Sequence, residues 1–193
     1  MKSITVFCGS SSGTNSNFIE SATLLGKKMA EQNITLVYGG ADLGLMGAVA
    51  NGALDANGKV IGVLPAFLKT REIAHQNLSE LIIVKSMHER KMKMNDLSDG
   101  VIALPGGFGT IEELFEILTW VQLGLQNKPI GVLNIDGYYD SLITFIQSMV
   151  TNGFLRANDA KLLIVRYDID VLLSEMKNYE CPPIKNRMVE DLS

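Results

Sequence analysis

Two rhythms of apolar and polar residues run along this chain. Short runs rich in β-branched and other apolar residues recur at positions 3–8 (SITVFC), 35–38, 59–64 (KVIGVL), 81–84, 100–104, 129–133 and 162–165. Runs of that length and composition read as buried strands, the third of them stopped by Pro65. Longer stretches with helical spacing fill the gaps. In residues 17–32 the apolar positions are Phe18, Ala22, Leu25, Met29 and Ala30, which share one side of a helix. Similar reasoning predicts helices at about 45–56, from the end of the fourth strand through Met94, and at about 110–125, 139–151 and 168–178. Residues 66–79 have no clear period and read as loop with a single helical turn. Strands separated by helices pair in parallel through right-handed crossovers. The fold class is therefore α/β, a doubly wound and mainly parallel sheet.

Length and composition sharpen this without changing it. At 193 residues, 47% hydrophobic and 20% charged, the chain suits one Rossmann-like three-layer domain over residues 1–180. Residues 181–193, opening on Cys181-Pro182-Pro183, read as a C-terminal tail. A formal charge of -4 and a pI of about 5.2 argue against a nucleic-acid partner, whose affinity grows with the phosphates that Lys and Arg neutralise. Apolar runs such as Leu81-Ile82-Ile83-Val84 fall far short of the ~20 residues that span a bilayer, so no membrane association is expected. No signal peptide is evident at the N-terminus. Two cysteines, Cys8 and Cys181, make no disulfide framework, and a cytoplasmic location is expected.

Chemistry concentrates at three predicted strand ends. Gly9-Ser10-Ser11-Ser12-Gly13 follows the first, Gly39-Gly40-Ala41-Asp42-Leu43-Gly44 the second, and Pro105-Gly106-Gly107-Phe108-Gly109-Thr110 the fifth. Ligands of open parallel sheets bind at that edge, and glycine-rich turns leading into helices suit phosphate. The Gly39 loop lacks an acidic residue at the distance a dinucleotide fingerprint requires, and GxxxxGK[ST] is absent. The loops therefore point to a mononucleotide phosphate. In the helix after Thr110, Ile111, Leu114, Leu118, Val121 and Leu125 form the expected core stripe. Glu112, Glu116 and Thr119 share a polar strip, whereas Glu113 lies beside Ile117 and Trp120 on an apolar surface. Met87-His88-Glu89-Arg90-Lys91-Met92 begins just after the fourth strand, where Arg90 and Lys91 are candidates for a phosphate or carboxylate. His88 reads as a packing or hydrogen-bonding histidine. His75 has no Cys or second His at ligand spacing, so no metal is expected, and nothing calls for a cofactor.

Leu104-Pro105-Gly106-Gly107-Phe108-Gly109-Thr110-Ile111-Glu112-Glu113 resembles the PGGxGTxxE motif of the Lonely Guy (LOG) family, and Met87-His88-Glu89-Arg90-Lys91 its MHxRK segment. Phe7-Cys8-Gly9-Ser10-Ser11, Gly44-Leu45-Met46-Gly47 and Asn134-Ile135-Asp136-Gly137-Tyr138-Tyr139 are similar to further family segments. That family comprises cytokinin riboside 5'-monophosphate phosphoribohydrolases, long misannotated as lysine decarboxylases. The resemblance implies that Arg90 and Glu113 are catalytic and that Gly107, Gly109 and Thr110 cradle phosphate. It implies substrate contacts for Lys91 and Thr119, and for Glu72 near the base. Gly106, Phe108 and Glu112 are further substrate-binding candidates, with Gly9, Ser10 and Gly40 as candidate loop contacts from the glycine-rich strand ends; Glu112 also reads as complementing the helix dipole. Ala41 and Thr70 depart from the family's YGGG and Pro-Arg-Glu-Ile patterns, which bears on the base pocket.

The activity so implied is hydrolysis of the N-glycosidic bond of a nucleoside 5'-monophosphate. Its rivals are a general purine or pyrimidine nucleotide nucleosidase and a non-catalytic nucleotide or cofactor carrier. A homodimer is also implied. Ile117, Trp120 and Leu123 lie outside the expected core stripe, and a two-fold interface would cover them.

Overall fold

The computed structural model describes residues 1–68 and 74–181. Glu72, and the tail beyond Cys181, lie outside the described residues. In chain order the elements are β1 (Ser3–Phe7), α1 (Ser16–Glu31), β2 (Thr35–Tyr38), α2 (Gly44–Asp55), β3 (Val60–Pro65), β4 (Glu80–Val84) and α3 (Met87–Asp96). There follow β5 (Gly100–Ala103), α4 (Phe108–Gln122), β6 (Ile130–Leu133), α5 (Asp140–Thr151), α6 (Ala157–Ala160), β7 (Leu163–Arg166) and α7 (Ile169–Lys177). All seven strands are where the periodicity put them, and they form one parallel sheet ordered β4-β3-β2-β1-β5-β6-β7. The chain winds outward from β1 to β4, then returns to β5 beside β1 (Ile4 opposite Gly100) and winds the other way. The topological switch point thus lies between β1 and β5, and it fixes where a ligand crevice opens.

Each face of the sheet has its own core. Leu25 and Met29 of α1, Val49 of α2 and Leu172 of α7 pack with Ile4, Leu36 and Ile102 on one side. Met94 of α3 and Leu114, Ile117 and Val121 of α4 pack with Phe7, Val37, Val101 and Val132 on the other. Helix starts are set by short polar side chains that accept hydrogen bonds from otherwise unpaired amides, as Asn15, Ser86 and Asp168 do. Among the described residues no helix is long and apolar enough to cross a membrane.

Three expectations need correction. Helix α4 starts at Phe108 rather than Thr110, because Gly107 is its cap. Its buried positions are Thr110, Glu113, Leu114, Ile117 and Val121, so the true core stripe is turned from the expected one. Leu125 lies past the helix end, 71% exposed, whereas Ile117 is in the core. His88 is exposed on α3 and packs into no core. The single turn α6 is too short to show a period and was not anticipated.

Candidate active site

The loops after β1, β2 and β5 meet α3 and α4 around a cavity of about 470 Å³, within the range of small-molecule sites. Cys8, Gly9, Ser10, Gly39, Met46, Arg90, the 107–110 turn and Glu113 line it, with Phe67, Met87 and Met94 among its apolar walls. Arg90 arrives there because α3 has a well-defined start. Ser86 Oγ accepts from the Glu89 amide at 3.1 Å, and Glu89 Oε2 accepts from the Lys85 amide at 2.8 Å. This reciprocal pairing across the first turn is a variant of the capping box. Met87, Arg90 and Met94 then share the inward side of α3. Arg90 is only 7% exposed, and its Nε has no hydrogen-bond partner among the described residues. The guanidinium rests on Gly39, where a Cβ would come within 2.0 Å of Nη2. A buried cation with free donors is costly unless an anion or acceptor comes to meet it.

Glu113 faces the same cavity from α4 and is 9% exposed. Burial pushes its carboxyl up to about 7, against the pull of the Arg90 guanidinium. A carboxyl poised near neutrality beside a buried cation in a cleft is what proton chemistry or charge stabilisation at pH 7 requires. At the start of α4, six residues before Glu113, no side-chain cap at Gly107 occupies the first-turn amides among the described residues, which leaves them open to an anion. Cys8, at the end of β1, has its thiol pushed up, mainly by burial, which disfavours the thiolate.

The remaining predicted residues fall in different places. Lys91 does not line that cavity and pairs with Glu112 at 2.7 Å and Glu116 at 2.9 Å. Glu112 and Glu113 thus have different surroundings, as adjacent helix positions must. Thr119 donates to the Phe115 carbonyl and lines a smaller, apolar groove of about 180 Å³ between α4 and α5. Gly40, with φ of 83°, is a turn residue whose carbonyl accepts from the His75 amide. His75 is buried, with Nε2 2.9 Å from Asn51 Oδ1 and 3.4 Å from Asp42. The sequence did not single out Cys8, Met46, Met87 or Tyr138. All four fall within segments similar to the LOG family's, with no role assigned to them individually. Tyr138 lines a second cavity of about 320 Å³, which shares Gly9, Ser10 and Gly107 with the first.

The family model described as possible lysine decarboxylase matches residues 46–176. The cytokinin riboside 5'-monophosphate phosphoribohydrolase LOG2 of Arabidopsis thaliana is 44% identical over 176 residues, covering 91% of this chain and 83% of that protein. The chain belongs to the LOG family. LOG4 of Arabidopsis thaliana is 45% identical, with 91% and 82% covered. A probable LOG enzyme of Oryza sativa subsp. japonica, LOGL3, is 42% identical over 188 residues, with 97% and 88% covered. Among solved structures, the molybdenum cofactor carrier protein of Chlamydomonas reinhardtii superposes with a TM-score of 0.69 at 24% identity, covering 91% of this chain and 96% of that one. The molybdenum cofactor binding protein of Rippkaea orientalis gives 0.70 at 24% identity, with 92% and 97% covered. At that identity the two share the fold of the LOG-family chain and no more.

Proposed function

We propose that this LOG-family chain hydrolyses the N-glycosidic bond of an N6-substituted adenosine 5'-monophosphate, a cytokinin riboside monophosphate, to free base and ribose 5-phosphate. The observation that carries the reading is Glu113, a buried carboxyl titrating near 7, one helical turn from the free amides of α4 and opposite Arg90. The 5'-phosphate sits against the 107–110 turn. As the bond from C1' to the base nitrogen breaks, positive charge develops on the ribose. Ionised Glu113 stabilises that charge and orients a water, whose oxygen bonds to C1' while a proton passes to the departing base. Arg90 stays protonated and acts as a donor, holding Glu113 or the leaving base by charge-assisted hydrogen bonds. The apolar walls from Phe67, Met46, Met87 and Met94 suit a base carrying an alkyl substituent.

Chromatographic measurement of base release tests this, with isopentenyladenosine monophosphate, AMP and both nucleosides compared at equal enzyme. Release is expected from the monophosphates, faster from the N6-substituted one. Equal rates with and without the phosphate overturn the reading. A binding-only carrier of this fold would gain nothing from a buried ionisable carboxyl, and binding without turnover is the outcome that would favour it.

We also infer a homodimer in a reducing cytoplasm, though on altered grounds. Ile117 is in the core and Trp120 packs partly against it, so neither calls for a partner. What supports a second copy is the apolar groove between α4 and α5, together with Leu123 and Leu125 exposed just past the end of α4, 62% and 71% respectively. Light scattering at micromolar concentration tests it: twice the 21.1 kDa chain mass is expected, and a fully active monomer refutes it.

A further inference from the structure

Three successive carbonyls leave the end of β5 beneath the 107–110 turn, and each is held by a different donor. Leu104 O accepts from Tyr139 Oη at 2.6 Å, Pro105 O from the Gly9 amide at 3.0 Å, and Gly106 O from Tyr138 Oη at 2.6 Å. The last has a consequence for the cavity. A peptide unit is planar and trans, so the carbonyl of Gly106 and the N–H of Gly107 point in opposite directions. With the oxygen drawn toward Tyr138, the Gly107 N–H points away from Tyr138, and Gly107 also lines the cavity that holds Arg90 and Glu113. On the Gly107 side sterics do not enforce that orientation, although Gly106 is closely packed, a Cβ there coming within 2.1 Å of Thr110 Oγ1. Both flanking residues are glycine, and a Cβ on Gly107 would meet nothing within 4 Å. Flipped, the same peptide would present a carbonyl oxygen where an anion is to bind.

The hydroxyl of Tyr138 is itself firmly aimed. Its ring meets Phe18 edge-on at 5.5 Å and Tyr139 at 4.9 Å. The chain reaches it through two residues with positive φ, Asp136 at 50° and Gly137 at 74°. Asp136 accepts from the side-chain amides of Asn15 and Asn17, both at 2.7 Å, which ties this turn to the start of α1. We propose that Tyr138 is a positioning residue: its hydroxyl sets the Gly106–Gly107 peptide so that an amide, not a carbonyl, faces the substrate phosphate. The proposal rests on the phosphoribohydrolase reading above.

Kinetics of Tyr138→Phe, with inorganic phosphate as the probe, test it. Loss of this one hydrogen bond should raise KM for the nucleoside monophosphate by roughly three- to tenfold, with kcat within about twofold. The slow cleavage of the phosphate-free nucleoside should be unchanged. The inhibition constant of inorganic phosphate should rise in parallel with KM, and the rise in Tm that phosphate gives the wild type should shrink. Tyr139→Phe removes an equally short bond to a carbonyl further from the turn, so it should lower Tm and leave KM near the wild-type value. If the wild type cleaves monophosphates and binds phosphate, but Tyr138→Phe matches it in KM and phosphate inhibition, the role of Tyr138 is refuted and the enzyme reading stands. Equal losses on nucleotide and nucleoside refute it too, since they would mean general damage. A wild type that neither cleaves monophosphates nor binds phosphate brings down the enzyme reading, and this proposal with it.

Discussion

Replacing Glu113 by Gln should make the protein more stable and less active, and the stability gain should depend on pH. Burial lifts this carboxyl from an ordinary 4.5 to about 7. Between those values the folded state binds more protons than the unfolded chain, so the wild type loses stability as pH rises from about 4.5 to 7. Above 7 the penalty is complete, on the order of 3 kcal/mol from a shift of that size. Below 4.5 it is absent. Gln is close in shape and never ionises. In a chain of this length a kcal/mol moves Tm by roughly 2–4 °C, so Glu113→Gln should melt about 5–10 °C above the wild type at pH 8.5. At pH 5 the gap should fall to about a quarter of that. Turnover should drop by a factor on the order of 10² or more, as for loss of a positioned carboxylate. In the wild type, kcat/KM should climb through about pH 7 as the carboxylate forms. The substrate phosphate titrates near 6 as well, so the diagnostic is the difference between the wild-type and variant profiles. A Tm gap of the same size at both pH values would mean that packing, not charge burial, separates the two proteins. Turnover within tenfold of wild type would remove Glu113 from the chemistry.

Glu112→Gln should lower turnover less than threefold in the base-release assay, because Glu112 is exposed and Lys91 keeps its bond to Glu116. Gly107→Val should leave Tm within about 2 °C, since a Cβ there meets no protein atom within 4 Å, yet raise KM for the monophosphate by about an order of magnitude by crowding the bound phosphate. Gly39→Ala should act through Arg90: a Cβ 2.0 Å from Nη2 displaces the guanidinium, lowering kcat about tenfold or more in steady-state kinetics. Leu123→Glu should convert a dimer to monomer by light scattering and reduce activity along with it.

The architecture was legible because each strand is a short β-branched run and each longer helix keeps its apolar spacing. The phase of α4 was not. Ile117 and Leu118 are adjacent, as are Trp120 and Val121, so an apolar arc this broad has no unique centre. The side buried in the fold also carries Thr110 and Glu113, two polar residues that a hydrophobic stripe excludes. Sites break local patterning where chemistry needs them to, and here the break misdirected the reading of the core. Helix α3 shows the opposite case. Arg90 lies on its inward side with Met87 and Met94, and the Ser86 and Glu89 caps that fix where α3 starts are written in the sequence. The hydrogen bond from Tyr138 to Gly106 joins residues 32 apart and has no local signature at all.

In the proposed binding mode the phosphate lies at the tip of α4 with Glu113 one turn along, so a single rigid rod works as a measuring stick. Gly109 and Glu113 are separated by about 6 Å of helix rise, a length that no side-chain rotamer and no loop adjustment can stretch. In that mode a monophosphate gripped at the tip would bring its C1' level with the carboxylate. A nucleoside di- or triphosphate gripped by its terminal phosphate carries the same carbon past it. Abundant nucleotides of the cell would thus be rejected by distance alone, without any group dedicated to excluding them.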